Sequence, residues 1–196
     1  MRKSYLMRIF NGIEFLMFLL TIGMFVEFLL KFIQKLGGTI FPEHLKTLLN
    51  TAMSDVGKFI KIVVLVVLVL VIPELLKRLM KDKIINLLRS IHGTFVFRRF
   101  LKQYQPSAST GEEMISIAEN HAISKFNYSV HYAVLDFSGN SIKLYIKVPH
   151  SAQAQKILKE YEVQIKEEIS NLYPEYLIST FERKKHQLWL IGTKRK

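Results

Sequence analysis

Two long apolar runs dominate the first 76 residues. No polar residue interrupts the run from Ile62 to Ile72, and an earlier run extends from Ile9 to Ile33 with few polar positions. A strand rarely exceeds about eight residues, whereas a helix needs about 20 to cross a bilayer, so both runs indicate helices of transmembrane length. The first run is too long for a signal peptide and no Ala-x-Ala-like site follows it, so we expect it to be retained. The pattern predicts a membrane α-helical hairpin of two transmembrane helices over residues 1–76.

The ionisable residues within or beside these runs include three candidate functional residues, Glu14, Glu27 and Lys61. An ionised group at the centre of a span costs on the order of 2.5–3.5 kcal/mol, which favours a functional role in gating or in an ion path. A structural role is favoured over this one, because Glu27 can pair with Lys31 one helical turn later, or with Lys58 or Lys61 across the hairpin.

The connection between the runs predicts a short helix on the outer membrane surface. Pro42 suits a first helical turn, and leucines from Leu45 onward fall on one face. Lys and Arg are sparse in this connection and dense after the second run, at Lys77, Arg78, Lys81, Lys83, Arg89, Arg98, Arg99 and Lys102. By the positive-inside rule we expect both termini in the cytosol.

Residues 77–104 form a basic juxtamembrane collar. Apolar positions from Leu75 to His92 recur at helical spacing, and Gly93 is expected to end this helix. The helix can lie on an anionic inner leaflet or pack against copies of itself, and the pattern does not distinguish the two. Cations and aromatics alternate from Thr94 to Tyr104, which indicates an interfacial belt or, alternatively, nucleobase stacking. Small polar residues predict a linker at 105–111.

Residues 112–196 predict a small cytosolic α+β domain. Thr110 to Glu113 reads as a capping box before a helix that ends near Phe126. Alternating patterns then predict strands over 128–134 and 142–148, and a helix follows from Ser151 to Leu172. Two further strands are expected at 176–183 and 187–192. The order αββαββ predicts a four-stranded, mainly antiparallel sheet with two helices on one face.

Composition limits the chemistry. The chain of 196 residues has a formal net charge of +12 and no cysteine, which excludes disulfides and thiolate catalysis and indicates an acidic partner. The sequence has no phosphate loop, dinucleotide fingerprint or nucleophile elbow, and its histidines lack metal-ligand spacing. We therefore predict neither an enzyme nor a cofactor or metal site.

The predicted outer face of the sheet carries hydroxyls, cations and an aromatic ring. Its members are Ser129, His131, Lys143, Tyr145, Lys147, Arg183 and Lys184. Such a set suits binding of an anion or nucleotide. The alternative is an ordinary solvated face of an open sheet.

In layout the whole chain resembles the two-span membrane effectors of prokaryotic antiviral (CRISPR/cyclic-oligonucleotide) defence. The resemblance is one of architecture, and it transfers no residue. It implies a homo-oligomer in the prokaryotic inner membrane, whose cytosolic domain binds an anionic cyclic nucleotide and signals to a hairpin that perturbs the membrane or opens a pore. The alternative is a membrane-anchored adaptor of a secretion or DNA-transfer machine that binds a protein partner. Long nucleic acid is disfavoured, since the domain is only mildly basic without the collar.

Overall fold

The computed structural model describes residues 2–37, 40–104 and 113–195, and for residues 113–118 the backbone only. It divides into two compact units, Arg8–Leu76 and the combination of Met1–Met7 with Lys77–Lys196. The predicted linker at 105–111 and Thr110 of the capping box lie outside the described residues. The two units are described separately below.

The first unit consists of most of two long helices, α1 (Tyr5–Gly37) and α2 (Glu43–Lys81). Both are long and apolar enough to cross a membrane, with hydropathies of 2.2 and 2.9. Only 6% and 11% of their most apolar windows are buried, unlike the core helices of a soluble protein. Gln34 Nε2 donates to Asn50 Oδ1 at 2.8 Å, and Gly23 lies against Ile60. The contacts therefore run in opposite directions along the two helices, as in an antiparallel hairpin.

The separate surface helix predicted near Pro42 does not form. Instead, α2 continues from Glu43 through Pro73 to Lys81 without interruption. Each added helical residue forms one more hydrogen bond once a turn has formed, and a single glycine and no proline lie between the predicted surface helix and the apolar run. The prediction placed a helix boundary where the sequence has no strong breaker.

The second unit is an antiparallel sheet with three helices. Its elements are α3 (Ile84–Leu101), α4 (Glu113–His131), β1 (Val134–Ser138), β2 (Ser141–Lys147), α5 (Ala152–Leu172), β3 (Tyr176–Ile178), β4 (Glu182–Lys184) and β5 (Gln187–Lys194). The strand order is β1-β2-β5-β3, with β4 also paired to β5. The antiparallel pairing is confirmed, but the sheet has five strands and the order from α4 onward is αββαβββ.

One extra residue divides the strand predicted at 176–183 into β3 and β4, which accounts for the fifth strand. Ile178 pairs with Gly192 and Glu182 with Trp189, so three residues on one side oppose two on β5. Such an excess is a β-bulge, and it interrupts the pairing. Ser179 fills the gap, because its N–H donates to Ile191 O at 2.7 Å and its Oγ accepts from Ile191 N at 3.3 Å.

The strand predicted from Tyr128 is also wrong, because α4 continues to His131. Phe126 and Val130 are buried, and the Tyr128 ring contacts the Tyr132 ring edge to face, with 5.0 Å between ring centroids. Both pairs have i, i+4 spacing, which is helical, and an alternating pattern over so few residues also satisfies that spacing.

The core lies on one face of the sheet. Leu135, Ile142, Leu144 and Leu190 of the sheet pack against Phe126 and Val130 of α4 and against Leu158, Ile165 and Ile169 of α5. Helix α3 adds Phe97 and Leu101, which are 1% and 0% exposed. The helix expected to be a membrane collar is therefore part of the domain core.

Polar side chains of α3 close the free edge of β1. Phe137 N donates to Ser90 Oγ at 2.9 Å, and Leu135 N to Thr94 Oγ1 at 3.0 Å. Arg98 Nε donates to Ala133 O at 2.7 Å. A helical step of four residues rises about 6 Å, and two strand residues advance about 6.6 Å. The two repeats match, so α3 supplies the bonds that a neighbouring strand would make.

Gly93 lies within α3 and does not end it. A Cβ at this position would lie 2.8 Å from the Tyr173 hydroxyl and 2.9 Å from Leu135 Cδ2. The glycine is thus needed for the close approach of helix to strand, which a single sequence cannot distinguish from a helix stop.

Candidate anion-binding site

The break between α2 and α3 is organised by Asp82. Its carboxylate accepts from the Arg78 guanidinium at 2.5 Å and from Asn86 Nδ2 at 2.6 Å. It also accepts from Gly139 N, in the β1–β2 turn, at 3.1 Å. Burial disfavours the charged form, but these bonds and the Lys83 backbone N–H outweigh it, so the pKa of Asp82 is lowered. One ionised side chain thus fixes the helix junction to the hairpin turn.

Arg78, in the last turn of α2, is 3% exposed and extends this network into the sheet. Its guanidinium donates to Asp136 Oδ1 at 2.5 Å and to the Phe137 carbonyl oxygen. Asp136 is 2% exposed, so the ion pair is buried on both sides. A buried charge is tolerated only when paired and hydrogen-bonded, and here both conditions are met.

An open pocket of about 540 Å³ lies beside this junction. It is lined by Met80, Lys81, Asp82, Lys83, Ile85, Asn86, Arg89, Gly139, Asn140, Tyr176 and Lys194. Four of these residues are cations and one is a carboxylate, which already binds Arg78. The volume falls within the range of about 300–1,000 Å³ that is usual for small-molecule sites. The charge of the lining favours an anion.

Arg89 is held in position on the pocket wall. It forms an ion pair with Glu175 at 2.5 Å, and its guanidinium carbon lies 5.1 Å from the centre of the Phe137 ring. Burial raises the pKa of Glu175, but a hydrogen bond from its own backbone, the Arg89 bond and charge, and the Lys194 charge together lower it. Both carboxylates near the pocket are therefore ionised at neutral pH and engaged by arginines.

The lysines of the pocket carry the positive charge that no ion pair among the described residues neutralises. In the described part of the chain, Lys81, Lys83 and Lys194 form no ion pair with a carboxylate. The register of the sheet brings Lys194 to the hairpin turn, where its backbone N donates to Asn140 O at 2.7 Å. Ammonium groups beside amide donors suit the oxygens of a phosphate.

The residues predicted as a ligand platform do not share one surface. Ser129 and His131 lie on α4 and not on a strand, and Ser129 is 2% exposed. His131 is the last residue of α4, and its ring lies 5.5 Å from that of Tyr132. Neither side chain is part of the sheet face.

Lys143, Tyr145 and Lys147 do lie on one face of β2, opposite the core. Tyr145 is 5% exposed, because the Trp189 ring lies 5.2 Å away and Lys3 Nζ lies 3.8 Å over its centre. Lys147 Nζ lies 4.8 Å from the centre of the Tyr132 ring. The Tyr145 ring, which was expected to contact a ligand, and the Tyr132 ring are thus each contacted by a cation of the protein itself.

Arg183 and Lys184 are neighbours on β4, so they point to opposite faces. Arg183 donates to Gln155 Oε1 of α5 at 2.9 Å and lines a separate pocket of about 420 Å³ with Lys156 and Lys159. Lys184 is exposed. Arg183 therefore lies across the sheet from Lys143.

The membrane candidates are distributed over α1 and α2. Glu27 pairs with Lys31 at 2.6 Å, one of the partners expected for it. Glu14 is half-buried on α1 and Lys61 is exposed on α2. Within the described residues these three side chains do not form a single charged cluster.

Sequence reasoning missed the junction pocket. Lys81, Lys83 and Arg89 were attributed to the collar alone, and Asn140 and Lys194 were not considered. The available signal was Asp82, the last acidic residue before Glu112, at the point where the amphipathic pattern changes phase.

Across the described residues, no group of three His, Asp or Glu side chains is placed to hold a metal ion. No family model, curated protein or solved structure matches the chain.

Proposed function

We propose that this chain is an integral membrane protein whose α+β domain binds a phosphorylated ligand of the nucleotide class in the pocket at the α2–α3 junction. The observation that carries the proposal is the convergence of Lys81, Lys83, Arg89 and Lys194 on a pocket of about 540 Å³ at the end of the more apolar helix. An anionic cyclic nucleotide, the ligand implied by the architectural resemblance, has the charge and size for such a pocket.

Membrane insertion of α1 and α2 is supported by their outward-facing apolar side chains. Phe18, Phe28 and Leu65 are 60%, 64% and 62% exposed, which would be costly in water over so large a surface. Residues Met1–Met7 and Lys77–Lys196 belong to one compact unit, as expected if the chain crosses the bilayer twice and returns to the same side. The cations of residues 77–102 favour the cytosolic side of a prokaryotic inner membrane.

Coupling between ligand and membrane follows from the position of Asp82. It lines the pocket and also binds Arg78 in the last turn of α2. A ligand that attracts the neighbouring lysines would therefore alter the contacts that hold α2. We propose that this alters the hairpin, and a pore would require several copies, because two helices cannot enclose one.

The alternative function is a membrane-anchored adaptor that binds a protein partner. Strand addition to an exposed sheet edge is a common way to bind a peptide. Here α3 closes the β1 edge, and the β-bulge between β3 and β4 interrupts the other. The pocket therefore has more support than a strand-binding edge.

The test is ligand binding by the full chain in nanodiscs of neutral phosphatidylcholine, measured by calorimetry. The probes are a cyclic oligonucleotide and inorganic pyrophosphate. Lys83→Glu combined with Lys194→Glu should weaken binding about tenfold or more, since a charge-assisted hydrogen bond contributes about 1.5–3 kcal/mol. Lys143→Glu, on the originally predicted face, should leave affinity unchanged.

A matched control is Lys156→Glu with Lys159→Glu, which makes the same charge change beside the other pocket. Equal weakening by both double variants would indicate a general charge effect and contradict the assignment. Nanodiscs that contain phosphatidylglycerol separate two sources of phosphate, because a lipid headgroup in the pocket would compete with the soluble probes. Absence of binding to every probe would refute the proposal.

A further inference from the structure

The outer face of α3 is an exposed apolar stripe. Ile84, Leu88, Ile91 and Phe95 recur at i, i+4, i+7 and i+11, and they are 43%, 56%, 37% and 49% exposed. The opposite face is occupied by β1 and the core, through Ser90, Thr94, Phe97, Arg98 and Leu101. The helix thus buries the polar side chains of Ser90, Thr94 and Arg98 together with Phe97 and Leu101, and it leaves the apolar stripe exposed.

The segment that carries this stripe contains cations and no carboxylate. No Asp or Glu occurs between Lys83 and Gly111. Arg99 and Lys102 are exposed at the C-terminal end of α3, and Lys81 and Lys83 precede its first residue. An apolar stripe flanked by cations is the pattern of a helix that lies in the interface of an anionic bilayer.

We infer that α3 lies on the membrane surface, with Ile84, Leu88, Ile91 and Phe95 among the acyl chains and its flanking cations on anionic lipid headgroups. The inference rests on the proposed membrane insertion of α2. That helix ends at Lys81 and only two residues separate it from the start of α3, so the chain is at the bilayer surface where the stripe starts.

A second copy of the chain is the other occupant to consider, and its charge argues against it. An isologous contact through α3 would bring the same cations of both copies together. Since this segment has no carboxylate, nothing in the stripe would compensate that repulsion. Anionic headgroups would compensate it, which favours lipid.

The absence of cysteine allows a direct test with single labels. Leu88→Cys and Phe95→Cys are each labelled with an environment-sensitive fluorophore on the full chain, at one copy per nanodisc of phosphatidylcholine and phosphatidylglycerol. Spin-labelled lipids then quench any label in contact with acyl chains. Phe18→Cys, in α1, serves as the positive control, and Val163→Cys, 65% exposed on α5, serves as the negative control.

We expect loss of emission at Leu88, Phe95 and Phe18 and no loss at Val163. Quenching at Phe18 without quenching at Leu88 and Phe95 would overturn the inference and leave membrane insertion standing. Absence of quenching at Phe18 would instead overturn the insertion on which it rests. Shielding of Leu88 from aqueous quencher only when two copies share a disc would mean that a second copy covers the stripe, which also refutes the inference.

The electrostatic part is tested separately. Arg99→Glu with Lys102→Glu should reduce lipid quenching at Leu88 in anionic discs, as should replacement of phosphatidylglycerol by phosphatidylcholine. Lys156→Glu with Lys159→Glu should leave quenching unchanged. Equal quenching in all these discs would contradict the role assigned to the cations. Emission of Trp189, the single tryptophan, reports in each variant whether the domain remains folded.

Discussion

Substitution of Thr94 measures how much the hydrogen bonds between α3 and the edge of β1 contribute to the stability of the domain. Its side chain is 0% exposed and its Oγ1 accepts the N–H of Leu135, itself 1% exposed, at 3.0 Å. Thr94→Val keeps the branched shape and removes the acceptor. The Leu135 N–H is then buried without a partner, which costs about 1–3 kcal/mol.

The loss can be followed by urea titration of the full chain in mild detergent, monitored by Trp189 emission. Trp189 is 1% exposed on β5 and is the single tryptophan, so the signal reports on the sheet. For a loss of about 2 kcal/mol and an m-value of about 2 kcal/mol/M, the midpoint falls by about 1 M. Thr94→Ser, which retains the hydroxyl, should lose less.

The control is Thr193→Val, the same chemical change at an exposed position of β5. It should alter stability by less than about 0.5 kcal/mol. If the Thr94 and Thr193 variants unfold at the same midpoint, α3 does not hold the strand edge through hydrogen bonds, and the account of the domain core must change.

Three other predictions concern the same unit, and each is measured by Trp189 emission. Gly93→Ala should destabilise the domain, because overpacking of about 1–3 kcal/mol exceeds the helix-propensity gain of about 1 kcal/mol; Gly12→Ala, whose Cβ would have no neighbour within 4 Å, should not destabilise it. Arg78→Met should cost about 3–5 kcal/mol, since it leaves the buried Asp136 carboxylate without its guanidinium, and a loss under about 1 kcal/mol would contradict the buried ion pair. The lowered pKa of Asp82 means that its stabilisation is complete above the unfolded value of about 3.9 and is lost as pH falls through the lower folded value. Asp82→Asn should therefore flatten the acid side of the stability profile, and an unchanged acid slope would argue against that role.

The sequence predicted the secondary structure correctly where a single physical requirement determined it. The unbroken run from Ile62 to Ile72 allowed a long apolar helix and little else. Strands β2 and β5 alternate between a core and an outer face, and this alternation predicted them. The prediction of a strand over residues 128–131 was wrong, because two buried positions four residues apart fit both the helical and the strand pattern.

The sequence predicted only part of helix α3. Its periodic pattern placed Ile84 and Leu88 on one apolar face, and both residues are exposed. The pattern did not indicate that Ser90, Thr94 and Arg98 bind backbone groups of β1. A periodic pattern shows which residues share a face, but it does not show which face is buried when a strand edge needs hydrogen bonds.

The candidate pocket could not be predicted from the sequence either, and the reason is the topology of the sheet. Lys83, Asn140 and Lys194 are far apart in sequence, and they meet because β5 pairs with β2 and ends beside the β1–β2 turn. No spacing rule connects such positions. Their convergence becomes visible only once the strand register is known.

The place of β5 in the sheet determines when the domain can form during synthesis. β2, β3 and β4 all pair with this strand, yet it is the last of the five to be made. α1 and α2 are made long before it. Under the proposed membrane insertion, these apolar helices therefore reach the bilayer before the domain can fold. A chain interrupted before Gln187 would leave them attached to a segment that cannot complete its sheet.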